Sequence, residues 1–183
     1  DEEGMELDGL EHAFRTEPNV KLLYVIPTFQ NPSGKTMSLA RRKAIYELCV
    51  KYGVMILEDN PYGELRFRGE DIPTFKSMDD EGIVIYNGSY SKVLSAGMRI
   101  GFVMAQKDVL QRLTVAKQFS DCHSNIFFQI VTDEWLKTAD VDAHIAKIRK
   151  IYRDRCDFML KLLDEHMDKR VTYTRPDGGL FLW

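Results

Sequence analysis

Four short apolar runs alternate with helical patterns through the first part of this chain: Val20 to Ile26, Val54 to Leu57, Ile83 to Tyr86 and Arg99 to Ala105. Continuous apolarity is what a strand covered on both faces requires, whereas a strand open to water on one side alternates. Between the first two runs, Ser38 is placed to cap a helix whose apolar positions Leu39, Ile45, Leu48 and Cys49 recur at helical spacing until Gly53 ends it. The alternation predicts an α/β fold: a mostly parallel sheet with helices on both faces. Such sheets bind ligands beyond the carboxyl ends of their strands. Asn31 follows the first run, Asp59 and Tyr62 the second, Ser89 and Lys92 the third, so these residues are expected to converge.

Beyond Ala105 the pattern is helical, with Leu110, Leu113 and Val115 in one segment and Ile126 to Leu136 in another. From Val141, the positions Ile145, Ile148, Tyr152, Met159, Leu163 and His166 keep helical spacing, a length that suits a helix bridging two domains. Val171 to Tyr173 then reads as a strand, Pro176-Asp177-Gly178-Gly179 as a turn and Leu180 to Trp183 as a second strand. The expected organisation is a large domain over residues 1–139, an interdomain helix over 140–168 and the start of a small α+β domain over 169–183. A chain ending on an apolar strand leaves a sheet edge unpaired, so the sequence is expected to be a fragment.

Composition removes several classes of function. The net charge of −3 comes from interspersed charges, which leaves no basic face for nucleic acid and no polybasic anchor for a membrane. Cys49, Cys122 and Cys156 are far apart and show no metal-binding spacing, as do His12, His123, His144 and His166. No metal is expected, and unpaired cysteines suit a reducing, cytoplasmic setting. The first residues carry no leader pattern and no run approaches a membrane span. Asn87-Gly88-Ser89 is formally a glycosylation sequon, read here as a tight Asn-Gly turn.

The chemistry lies in Glu58-Asp59-Asn60-Pro61-Tyr62, Gly88-Ser89-Tyr90-Ser91-Lys92 and Gly97-Met98-Arg99-Ile100-Gly101. A lone lysine is usually a solvated surface residue, but Lys92 has Ser89, Ser91 and Arg99 as neighbours, two hydroxyls and a guanidinium fork suited to a phosphate. Asp59 ends an apolar run, where a carboxylate needs a partner such as a pyridinium N–H. Tyr62 and Asn31 could donate to a phenolic oxygen. An amine for a Schiff base, a carboxylate for a ring nitrogen, donors for a phenolic oxygen and a phosphate cradle are together what pyridoxal 5'-phosphate needs. Two competing motifs lack their second element. Ser89-Tyr90-Ser91-Lys92 matches the S-x-x-K of penicillin-binding enzymes without a Ser-Asp-Asn or Lys-Thr-Gly, and Gly34-Lys35-Thr36 ends like a P-loop whose first glycine position holds Phe29.

These motifs, with Tyr24-Val25-Ile26-Pro27, Gln30-Asn31-Pro32-Ser33-Gly34 and Pro176-Asp177-Gly178-Gly179-Leu180-Phe181, resemble the fold-type I, class I/II pyridoxal-phosphate aminotransferases, in order over nearly the whole chain. The resemblance is greatest to the branch of 2-aminoadipate and kynurenine aminotransferases and of aminotransferase-like domains in transcription regulators. It implies that Lys92 forms the Schiff base and shuttles the substrate Cα proton. Asp59 would pair with the ring nitrogen, Tyr62 and Asn31 with the phenolic oxygen, and Ser89, Ser91 and Arg99 with the phosphate. It further implies transfer of an amino group from an L-amino acid to a 2-oxo acid, by a homodimer whose sites draw on both subunits. The family's glycine-rich phosphate loop, ring-stacking aromatic and substrate-clamping arginine fall outside this sequence, so the isolated chain is expected to hold the cofactor poorly and turn over little. Two further readings keep the cofactor: the effector-binding half of a transcription regulator, and a lyase of the same fold.

Overall fold

A computed structural model describes residues 1–183. The chain runs α1 (Leu7–Thr16), β1 (Leu22–Val25), α2 (Leu39–Tyr52), β2 (Met55–Asp59), β3 (Val84–Ser89), β4 (Gly101–Met104), α3 (Lys107–Ser120), α4 (Ile126–Thr138) and α5 (Val141–His166). The four strands form one sheet in the order β1-β2-β3-β4; β1, β2 and β3 are parallel and β4 runs antiparallel to β3.

The start and stop of α2 follow the expected chemistry. The Ser38 hydroxyl accepts a hydrogen bond from the Arg41 N–H at 3.2 Å, and Gly53 closes the helix in the left-handed region at φ 66°, where a side chain would be strained. Its inner face delivers Ile45 and Cys49 onto Val25, Ile56 and Val84, one from each of the three parallel strands, with Leu10 of α1 joining the same cluster. Each fully buried aliphatic side chain there contributes about 1.5–3 kcal/mol. Helix α1 carries no motif in the sequence reading and owes its place to this apolar contact.

The opposite face of the sheet has no such cover within this chain. Leu22 and Tyr24 of β1 and Val103 of β4 are exposed, and α3 buries no residue and exposes Phe119 at 88%. Helix α5 has the expected length, 26 residues, and its Asp140 cap accepts from the Ala143 N–H at 2.9 Å.

Three local readings need correction. Residues 171–173 and 180–183 are not strands: the Thr174 N–H donates to the Trp183 carbonyl at 2.8 Å, and the Trp183 N–H to the Thr174 hydroxyl at 3.0 Å. Two such short segments without a third strand cannot sustain a ladder. Asn87-Gly88 is not a turn but the middle of β3, where Gly88 is needed because the Phe102 ring of β4 lies 2.3 Å from where a Cβ would stand. The fourth strand begins at Gly101, because Arg99 sits in the left-handed region at φ 57° and cannot join a ladder.

The Pro176–Gly179 turn does form, and it docks on the body of the protein. The Phe67 and Arg68 N–H groups donate to the Asp177 carbonyl, and Gly179 N–H to Leu65 carbonyl. A Cβ at Gly178 would stand 2.2 Å from the Phe29 ring, so the glycine allows this close approach.

Candidate functional site

Strands β2 and β3 end in polar residues, Asp59 and Ser89, on the face away from α2, where β1 places Tyr24, its last residue but one. Asp59 closes β2 opposite Asn87 of β3 in the parallel register. The Asn87 side-chain amide donates to Asp59 Oδ1 at 2.8 Å, and the Tyr24 hydroxyl from β1 donates to Asp59 Oδ2 at 2.7 Å. The carboxylate is half-buried and held on both oxygens. Burial and this bond push the Tyr24 phenol up to about 12, so its hydroxyl keeps its proton and acts as a donor.

Tyr62 follows Asp59 and is buried, its ring edge-on to Phe181 with centroids 5.4 Å apart. Burial raises the Tyr62 phenol above its ordinary value, the Asn31 side chain opposes the rise and the Asp59 charge adds to it. Asn31 and Asp59 thus both bear on the Tyr62 phenol. Asn31 is exposed on a loop shaped by Gln30, whose side-chain carbonyl accepts from the Ser33 N–H at 3.0 Å and hydroxyl at 2.6 Å.

The third group stands at the end of β3. The Ser91 N–H donates to the Ser89 hydroxyl at 3.1 Å, and Arg99 Nη1 to the Ser91 hydroxyl at 3.4 Å and the Ala96 carbonyl at 3.1 Å. Two hydroxyls and one guanidinium share a small, solvent-facing patch, a donor set that fits a phosphate. Lys92 sits half-buried in the turn closed by the Leu94 N–H on the Tyr90 carbonyl at 2.8 Å. Its amine makes no hydrogen bond or ion pair, so the structure does not bond it to Asp59, Tyr62 or Arg99. A cleft of about 660 Å³ lined by Tyr24, Gln30 and Lys35 takes in Asn31 but none of the other predicted residues. No group of three or more His, Cys, Asp or Glu side chains gathers as a metal site.

Several supporting residues escape the sequence reading. Arg42 is fully buried and donates to the carbonyls of Pro27, Met37 and Pro73 and to the Thr28 hydroxyl. Burial lowers its guanidinium to about 10, which leaves it charged at neutral pH. Glu58, also fully buried, accepts from the Phe75 and Lys76 N–H groups at 2.9 and 2.8 Å. His144 Nε2 of α5 lies 2.7 Å from the Val93 carbonyl, next to Lys92. Only the apolar setting of Glu58 gave a signal in the sequence; the contacts of the others depend on strand register and loop closure.

The family described as aminotransferase class I and II matches residues 1–183. The chain is 44% identical over 187 residues to an aromatic-amino-acid aminotransferase 1 of Thermococcus litoralis, covering 100% of this chain and 45% of that one. It is 40% identical over 185 residues to a 2-aminoadipate transaminase of Thermus thermophilus, covering 100% of this chain and 46% of the relative. Among solved structures, a Pyrococcus horikoshii kynurenine aminotransferase in complex with PMP superposes with a TM-score of 0.95 at 41% identity, over 100% of this chain and 46% of the other. The chain thus spans less than half the length of these relatives.

Proposed function

The chain belongs to the class I and II aminotransferases over residues 1–183, and from that premise we propose that it is the central part of a pyridoxal-phosphate enzyme that moves an amino group from an L-amino acid to a 2-oxo acid. The aromatic, 2-aminoadipate and kynurenine aminotransferases to which it is similar support an L-amino acid with a large side chain as donor. The whole protein is read as a cytoplasmic homodimer. The uncovered apolar side chains of α3 and α4, Phe119 and Phe127 among them, suit a surface covered by the rest of the polypeptide or a second copy.

In this reading Lys92 would hold the cofactor covalently through its amine and would move the substrate Cα proton. Asp59 would pair with the ring nitrogen, Tyr62 and Asn31 with the phenolic oxygen, and Ser89, Ser91 and Arg99 with the phosphate. Bound there, the cofactor supplies an electrophilic carbon and a protonated ring that withdraws electrons. The observation that carries the reading is the layout of β3: Asn87, bonded to Asp59, and Ser89, bonded to the Ser91 N–H, are alternate residues of one strand. They share a face roughly 6.6 Å apart, so a carboxylate and an anion cradle flank a space on the scale of one substituted ring. Lys92 follows three residues after Ser89.

The test is absorbance of the whole polypeptide with pyridoxal phosphate. A band near about 420 nm is expected, lost in Lys92→Ala and accompanied by amino transfer from aromatic amino acids, 2-aminoadipate or kynurenine to a 2-oxo acid. A band that survives Lys92→Ala overturns the lysine assignment. A normal band without turnover on any of these donors favours an effector-binding domain.

A further inference from the structure

Three neighbouring strands bring three side chains to one spot on the open face of the sheet. In the β1–β2 register Tyr24 pairs with Leu57, so Asp59, two residues further along β2, lies diagonal to Tyr24 on the same face. In the β2–β3 register Asp59 pairs directly with Asn87. Diagonal neighbours are roughly 7–8 Å apart, a reach suited to a tyrosine, and direct neighbours roughly 5 Å, a reach suited to an asparagine. Each donor takes a different oxygen, at 2.7 and 2.8 Å. One donor would leave the carboxylate free to rotate about it; two from opposite sides fix its plane and leave a lone pair on each oxygen unused.

Resting on the function proposed above, we propose that Tyr24, acting with Asn87, is a positioning residue that holds the Asp59 carboxylate toward the ring nitrogen of the cofactor. The arrangement is separate from the set that holds the loops, because neither Tyr24 nor Asn87 bonds any other side chain. Tyr24 is 53% exposed, so its side chain is not a core element whose removal leaves a cavity. A carboxylate turned away from the ring nitrogen would leave that nitrogen unprotonated, and an unprotonated ring withdraws electrons poorly from the substrate Cα. The position of Tyr24 thus bears on the rate of proton removal more than on substrate binding.

The experiment uses the whole polypeptide and the variant Tyr24→Phe, which removes one oxygen. Losing a hydrogen bond to a charged group corresponds to about a tenfold change, so pyridoxal phosphate should bind about tenfold more weakly in a spectroscopic titration. The kcat of amino transfer should fall by a similar factor with KM for the amino acid unchanged. In an Asp59→Ala background, Tyr24→Phe should have no further effect on cofactor affinity, because its action passes through that carboxylate. Should Tyr24→Phe fail to fold, Asn87→Ala carries the same test through the other oxygen. An unchanged cofactor affinity, or an equal loss with Asp59 present or absent, overturns the inference while a Lys92-dependent band leaves the parent function standing. Absence of that band in the wild type is failure of the parent function instead.

Discussion

Arg42 and Glu58, both fully buried, are not bonded to each other; each spends its charge mainly on loop backbone, and both reach the segment between β2 and β3. Arg42 gathers carbonyls from the loop after β1 that carries Asn31, together with Pro73. Glu58, the neighbour of Asp59, takes the N–H groups of Phe75 and Lys76. Their opposite charges still help one another across the gap, raising the guanidinium and lowering the carboxyl against burial.

Arg42→Met should therefore be among the most damaging single changes outside the catalytic groups. It removes a donor from three carbonyls and a hydroxyl, of which the Pro27 carbonyl keeps the Met37 N–H, and takes a countercharge from Glu58. Losing one member of a buried charged arrangement costs about 3–5 kcal/mol. Chemical denaturation of the chain checks this, and a loss below about 1 kcal/mol would mean that water replaces the guanidinium.

Glu58 also predicts a pH dependence. Burial raises its carboxyl above the ordinary 4.5, although the Lys76 and Phe75 N–H groups and Arg42 oppose the rise. The native state thus holds this proton to higher pH than the unfolded chain does. Its contribution to stability is complete below 4.5 and is lost as pH rises through the elevated native value. The unfolding free energy of wild type minus that of Glu58→Gln should fall as pH climbs from about 4 and then level off. A flat difference across that window would show that Glu58 titrates like a solvated carboxylate.

Much of the fold was legible because its signals are local. Ser38 and Gly53 bound their helix through bonds to residues within five positions, and the apolar runs located all four strands. The candidate site residues Asp59, Ser89, Ser91, Lys92 and Arg99 stood out because each has an unusual near neighbour in the sequence. What stayed hidden depends on register: Tyr24 reads as one more apolar-run residue until β1 is set beside β2, and Gly88 reads as a turn until Phe102 is found across from it. The last residues were misread because Leu180 to Trp183 have strand composition but no neighbour strand long enough to pair with.

Gly88 and Phe102 form a cross-strand pair in which the ring covers the bare backbone. The ring also packs against Tyr86 and Tyr90, with centroids 6.0 and 5.7 Å away. Gly88→Ala should push it out of that slot at a cost of about 1–3 kcal/mol. In a Phe102→Ala background the same methyl should cost less, because the three atoms nearest to where it would stand all belong to that ring. Equal costs in both backgrounds, measured by denaturation, would place the strain in the β3 backbone instead.

His144 ties the long helix to the lysine turn. Val93 offers only a carbonyl, so the imidazole must present a proton on Nε2, while Trp135 packs edge-on to the ring at 5.4 Å and limits its rotation. Helix α5 thereby grips the residue next to Lys92, and a movement of the helix would be felt at the amine. His144→Ala should destabilise the chain by about 1 kcal/mol and speed amide exchange in the turn over residues 90–95 more than in β2. His144→Gln, which keeps a donor at nearly the same reach, should restore most of both effects. If alanine and glutamine behave alike, the link acts through the packing of the ring on Trp135 and not through the bond to Val93.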